Sequence, residues 1–340
     1  MGQIFMTAIN AVFPIVALIM IGYFLRKKEF ITENFVKTGS KFVFQICLPA
    51  MLFTNVYEIS GMEAIRWDLV IYCVAAIVVL FALGLLAAML TTNDAKRRGV
   101  LWQVVYRSNF AIVGIPLAAS LGGTEAVAAT AVTITFVIPV YNIFSVIALS
   151  VFSGQSDNGK TDVKAIAKDI VTNPLTVSVL IGLLCLILRT VQQQIFGEVV
   201  FALNVQTQFL YKVISNLSSI ASPFALVVLG GQCEFAAVKG MKKELIVGTL
   251  SRIVAAPLLV IGVAVLLTKF TNVISFGANE MPALISLFGS PTAVSGAVMA
   301  AEMNNDEQLA TQLVVWTSAG SILTIFVTVC WLMSMGFLQT

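Results

Sequence analysis

The sequence predicts an all-α polytopic membrane protein: ten transmembrane helices, arranged as two inverted repeats of five, with helices four and nine broken. Three observations predict it. The chain of 340 residues is 59% hydrophobic and only 11% charged, where soluble globular proteins carry about 25% charged residues; mean hydropathy is +0.96. Ten apolar runs each approach the roughly 20 residues that a helix needs to cross a bilayer. Landmarks of the first five runs return at a near-constant offset in the last five.

The runs lie near Ile4–Leu25, Phe35–Val56, Leu69–Leu90, Val100–Leu121, Ala126–Phe152, Ile170–Leu188, Phe209–Gly230, Leu245–Leu267, Met281–Ala301 and Gln308–Leu338. Residues 1–152 form the first five-helix repeat, 153–169 a polar, lysine-dotted linker, and 170–340 the second repeat. The link from Arg189 to Gln208 is the other long one; Phe196 and Val199 to Leu203 suggest an amphipathic turn in it. Arg26, Lys27, Lys28 and Lys37 follow run one, Lys96 to Arg98 run three, Lys160, Lys164 and Lys168 run five, and Lys239, Lys242 and Lys243 run seven. The opposite loops hold only Arg66, Arg189 and Lys269, with Lys212 near a helix start. The positive-inside rule makes the rich side cytoplasmic. With ten spans both termini then lie outside, and the expected location is a bacterial cytoplasmic (inner) membrane.

The repeat rests on offsets. Pro49 and Pro223 are 174 residues apart, Pro116 and Pro291 175, and Asp68 and Glu244 176. Five spans is an odd number, so the second copy enters from the opposite face.

Runs four and nine share a pattern. Run four carries Asn109, then Gly114-Ile115-Pro116-Leu117; run nine carries Gly289-Ser290-Pro291-Thr292, with Ser295 beyond. Glycine weakens a helix, proline removes a donor and clashes with the preceding turn, and the residue before proline turns extended. Non-helical backbone at membrane depth survives only when it is buried in protein or lines a wet cavity. Paired breaks in two halves point to a transporter binding site. New half-helices from Leu117 and Thr292 would present free amides and the positive end of a dipole to an anion. A carboxylate is the simplest group to sit there, with Asn109, Ser290, Thr292 and Ser295 adding side-chain donors. A proline kink without a site is the plainer reading of either proline alone; the matched pair favours a crossing.

Ionisable groups within the membrane are costly and therefore suspect. Lys41 either snorkels to the surface or balances charge near the site. Arg252 lies about 13 Å beyond Lys243 along a helix, so it faces protein or a cavity, in structural pairing or in contact with substrate. Arg107 is either a cytoplasmic anchor or an anion-attracting entrance. Gln45 and Asn142 either glue helices together or line the cavity.

Absences exclude several classes. The chain has no histidine, which removes His-ligated metals, Ser-His-Asp triads and His relays, and no metal site is expected. Its five cysteines are scattered and read as small buried residues. No phosphate-cradling loop supports ATP drive, and no basic-aromatic cluster supports nucleic-acid binding. No buried carboxylate pair or nucleophile with a base suggests an enzyme. No cofactor is expected; coupling to H+ or Na+ is left open, as is a homodimer.

Asn109-Phe-Ala-Ile-Val-Gly-Ile-Pro-Leu resembles the fourth-helix motif of the auxin efflux carrier family, which includes plant auxin carriers and bacterial malate and malonate permeases. Leu48-Pro49-Ala-Met-Leu-Phe53, Arg252-Ile-Val-Ala-Ala-Pro257-Leu and the segment from Pro291 to Asp306 are similar to it as well. The resemblance implies two inverted five-helix repeats, like those of bile-acid symporters and sodium-proton antiporters. It also implies a scaffold and a transport part that move against one another, and organic-anion substrates. It carries the family's binding asparagine and crossing prolines onto Asn109, Pro116 and Pro291. At the offset of the prolines the counterpart of Asn109 is Leu284, so symmetric amide contacts are not expected. The functional expectation is a secondary transporter of small organic anions by alternating access; the alternative is a passive anion channel or pore of the same fold.

Overall fold

The computed structural model describes residues 2–58, 66–153, 172–233, 235–271 and 274–338. The linker 153–169 lies outside the described residues apart from Ser153. Among the described residues, helices follow the ten expected runs, two of them in two parts: α1 (Gly2–Lys27), α2 (33–57), α3 (Trp67–Thr91), α4a (Ala95–Tyr106), α4b (110–122), α5 (Glu125–Phe152), α6 (Pro174–Phe196), α7 (Gln208–Gln232), α8 (Lys242–Phe270), α9a (Met281–Gly289), α9b (Val294–Glu302) and α10 (Glu307–Ser334). By length and composition alone, α3, α5, α6, α7, α8 and α10 suffice to cross a membrane. Helices four and nine are interrupted. Among the described residues there is no strand, only an isolated bridge between Ser108 and Thr292.

Local sequence sets many boundaries. Thr32, Asp94, Asn173 and Asp306 cap the starts of α2, α4a, α6 and α10 by accepting from backbone amides of the first turn, which supplies partners to otherwise orphaned donors. Gly123 turns α4b into α5 at φ 63° and ψ −150°, a conformation open to glycine. α6 runs on to Phe196 and stops at left-handed Gly197. The link that follows holds a single short helix, Leu203–Gln206, anchored where the Leu203 amide donates to the Tyr57 hydroxyl at 2.8 Å.

Two helices widen by one residue ahead of a proline. Val43–Cys47 of α2 and Ser251–Ala255 of α8 are π-turns, and Leu48 and Ala256 donate back five residues to Val43 and Ser251. Pro49 and Pro257 come next. Proline crowds the turn before it, and one inserted residue relieves the clash.

The helices sort into two bundles. In one, α1 packs on α7, α7 on α2 and α2 on α6; α3, α4, α5, α8, α9 and α10 form the other, which α1 also meets along α10 and the stretch from α4b to α5. Within the first, α1 and α7 approach backbone to backbone: a Cβ on Gly22 would lie 2.1 Å from the Val227 carbonyl oxygen, and one on Gly230 2.0 Å from that of Ile19. Small residues permit such contact in membrane helices.

The inversion shows in the ion pairs. Arg66, before α3, pairs with Asp68 at 2.7 Å and reaches Glu280, before α9a, at 2.5 Å. Arg97, opening α4a, meets Glu244, opening α8, and Asp306, before α10, each at 3.0 Å. The start of helix three thus meets the start of helix nine, and the start of helix eight that of helix four. Helices two and seven, like three and eight, start 175 residues apart, but helices four and nine start 186 apart. α8 is longer than α3, and the loop after it is longer than the loop after α3. The constant offset expected through the prolines therefore fails after helix eight.

Candidate functional site

Helix four does not break at its proline. Pro116 lies inside α4b, and the break falls at Arg107, Ser108 and Asn109. Helix nine breaks where expected, between Gly289 and Val294. The half-helices start at Phe110 and Val294, not at Leu117 and Thr292. Ser108 and Asn109 favour caps over helix interiors because they compete for backbone groups. The decisive forces are tertiary, since the interruptions serve each other. The Asn109 amide donates to the Pro291 carbonyl at 2.8 Å, and Ser108 bridges Thr292 antiparallel. Thr292 Oγ1 donates to the Arg107 carbonyl at 3.2 Å, and its amide donates to Thr317 Oγ1 at 3.1 Å. Matched break to break, the counterpart of Asn109 is near Thr292, not Leu284.

The crossing exposes four helix ends. The two C-terminal ends converge on Arg252. Its guanidinium donates from Nε to Ser290 O (3.0 Å), from Nη1 to Val105 O (3.2 Å) and Tyr106 O (3.1 Å), and from Nη2 to Leu287 O (3.0 Å) and Phe288 O (2.7 Å). The side chain is 0% exposed, and it lies beneath the crossing, outside the cavity wall. A cation at a helix C-terminus is favourable, and here one cation serves two.

The two N-terminal ends face a cavity of about 50 Å³ between the bundles. By the same measure one water needs about 10–15 Å³, so the space suits a carboxylate-sized group. Leu48, Met51, Leu52, Asn55, Ser222 and Ala225 line it from α2 and α7. The facing wall is Arg107, Ser108, Asn109 and Phe110 of the break, Ile138, Tyr141 and Asn142 of α5, and Ala293, Val294 and Ser295 at the start of α9b. No side chain caps the α9b amides.

The polar wall is rich in donors. Arg107, 3% exposed, bonds neutral acceptors through its guanidinium: Asn142 Oδ1 and Ser295 Oγ from Nη2, and Met299 Sδ from Nη1, each at 2.9 Å. Among the described residues no carboxylate pairs with Arg107 or Arg252. The Nδ2 groups of Asn109 and Asn142 are buried without a hydrogen-bond partner. Buried unpaired donors beside an uncompensated cation, facing two helix N-termini, suit an anion.

Of the expected residues, Asn109, Arg107 and Ser295 come together at the cavity. Ser290, Pro291 and Thr292 build the crossing behind it, and Gly289 ends α9a. Gly114 sits inside α4b, its carbonyl accepting from Ser286 Oγ at 3.1 Å. Ile115 and Pro116 are helical, and Leu117 is buried. Lys41 is exposed and does not line the cavity, which fits the snorkelling alternative and not the one of charge balance near the site; Gln45 is exposed as well. Asn142 both bonds Arg107 and lines the cavity. The sequence reading passed over Ser108, Asn55 and Tyr141. The Arg-Ser-Asn triplet, polar inside an apolar run and followed by helix formers, was the signal available for the break.

The family described as membrane transport protein, the auxin efflux carrier type suggested by the motifs, matches residues 7–329. An uncharacterized transporter of Methanocaldococcus jannaschii is 24% identical over 324 residues, covering 94% of this chain and 97% of that protein. The solved structure of a sodium proton antiporter from the same archaeon superposes with a TM-score of 0.61 over 97% of this chain and 98% of that one, at 9% identity. At that identity the likeness speaks for the fold alone. With the family spanning nearly the whole chain and the antiporter fold beneath it, this multi-pass membrane protein belongs to the auxin efflux carrier-type family of membrane transport proteins.

Proposed function

We propose that the chain is a secondary carrier of small organic anions, carboxylates first, working by alternating access. The observation that carries this is the polar wall of the cavity: Arg107 without a carboxylate partner, two unpaired amide donors, and two helix N-termini. A carboxylate would take its bonds from Arg107, Asn109 and Asn142. The binding groups of the break, α5 and α9b belong to one bundle, and the opposing wall of α2 and α7 belongs to the other. Sliding of the first bundle past the second would carry the site across the bilayer. In this reading both termini lie outside, which the positive-inside pattern supports, and the membrane is a bacterial inner membrane.

The test uses purified protein and liposomes. Malate, malonate and indole-3-acetate are screened by thermal shift, across pH and with or without sodium. A ligand at 100 times its Kd adds about 2.7 kcal/mol to the folded state. A hit is then followed by uptake and counterflow. Saturable uptake with counterflow supports the carrier. Single-channel currents without counterflow would establish the passive anion channel instead, and no thermal response to any carboxylate would remove the substrate class.

A further inference from the structure

We propose that Arg252 is a tethered cation: it permanently occupies the carbonyl-lined site beneath the crossing, which a solution cation would otherwise fill. Three observations point this way. Five carbonyl oxygens, from Val105, Tyr106, Leu287, Phe288 and Ser290, converge on one spot. They belong to the C-terminal ends of two interrupted helices, where partial negative charge gathers; unwound carbonyls and half-helix C-termini are the groups that hold coupling ions in broken-helix carriers. Guanidinium has five N–H donors in a fixed fork, and the five carbonyls match them one for one. Burial is complete, with 0% of the residue exposed, and no described carboxylate competes for the charge.

The side chain reaches this spot from the π-turn Ser251–Ala255 of α8, and α8 packs in the same bundle as both half-helices. The cation therefore travels with the crossing through any movement and is not exchanged with either side. Two consequences follow. Transport needs no sodium at the crossing. Removing the side chain converts a filled site into one that demands a cation from solution. Lysine cannot stand in fully, because its ammonium has three donors for five acceptors.

The test compares wild type with Arg252→Ala, purified and reconstituted with and without millimolar methylguanidinium. For wild type, replacing sodium by choline on both sides changes uptake less than about twofold, and methylguanidinium shifts neither uptake nor melting temperature. For Arg252→Ala, uptake falls at least about tenfold and the melting temperature drops; methylguanidinium recovers both. An Arg252→Ala protein that keeps wild-type uptake and melting temperature in choline overturns the proposal, as does a folded variant that methylguanidinium leaves unchanged. A wild type that loses most of its uptake without sodium overturns it too. Should Arg252→Ala fail to fold even with methylguanidinium, Arg252→Lys and Arg252→Met decide: the lysine variant melts higher if charge beneath the crossing matters, and equal melting temperatures end the proposal. The melting readout contains no carboxylate, so this inference and the substrate assignment fail separately.

Discussion

Replacing Arg107 by alanine removes the one charged side chain among the described residues that line the cavity. A hydrogen bond to a charged group contributes about 1.5–3 kcal/mol, and each 1.4 kcal/mol is a factor of about ten in affinity. Carboxylate binding should therefore weaken by about one to two orders of magnitude. The same change strips partners from Asn142 Oδ1 and Ser295 Oγ, at a stability cost of about 1–3 kcal/mol if they stay buried. Arg107→Gln, which keeps a donor but not the charge, separates the two effects: it retains more stability and still loses affinity. Salt separates binding from steering. An exposed arginine that merely attracts anions loses its influence at high ionic strength, whereas a buried one is screened far less; Arg107 is 3% exposed. The assay is a titration of the best carboxylate by thermal shift at low and high salt, for wild type and both variants. Affinities within about twofold of wild type, or a deficit that vanishes at high salt, would refute a direct contact.

Other outcomes follow from single contacts. Asn109→Ala removes one unpaired neutral donor from the wall, so affinity in the same titration should fall about fivefold, the equivalent of about 1 kcal/mol, with gel-filtration behaviour unchanged. Pro116→Ala acts on a residue already within helix, so uptake should stay within about twofold and the melting temperature should not fall; loss of uptake would restore the proline as the working break. Gly230→Val sets a side chain where even a Cβ meets the Ile19 carbonyl at 2.0 Å. It should force α1 from α7 and cost about 1–3 kcal/mol or more, read as a lower melting temperature.

The architecture was legible because hydrophobic length and charge bias are properties of whole segments. Among the described residues each of the ten runs became helix, two of them in two parts, and shifting any end by a few residues would not alter that. The breaks were less legible. Proline marks where a helix lacks a donor, but a membrane helix tolerates the gap, and Pro116 sits in one. What opens helix four at Arg107, Ser108 and Asn109 is help from a distance: Pro291 accepts from Asn109, Thr292 bonds the Arg107 carbonyl, and Arg252 collects the carbonyls released by the preceding turn. None of these partners is nearby in sequence. The matching separation of Pro116 and Pro291 misled for a related reason, since the chain between helices eight and nine adds residues that the first repeat lacks. Among the cations, position along a run said how deep Lys41 and Arg252 lie but not what they face. Lys41 is exposed and lines no part of the cavity, and Arg252 meets carbonyls outside the cavity wall.

The crossing explains why two buried arginines can share one small region without carboxylates to pair them. Breaking two helices creates two donor-rich ends and two acceptor-rich ends. Inside a membrane neither kind can be left bare, because water is not there to satisfy it. The acceptor ends are closed permanently, by Arg252 and its five bonds. The donor ends are left facing a cavity, and Arg107 adds charge of the same sign instead of cancelling it. A protein that needed only a stable bend would have put a carboxylate or a capping side chain at those donors; α9b has none. The arrangement leaves unsatisfied what an anion satisfies, and it does so on the bundle that also carries the arginine-bonded half of the crossing. Binding a carboxylate would complete the hydrogen bonding of that bundle and lower the electrostatic cost of burying its cation. Those are the conditions under which a loaded site can pass through the low-dielectric centre of a bilayer more readily than an empty one.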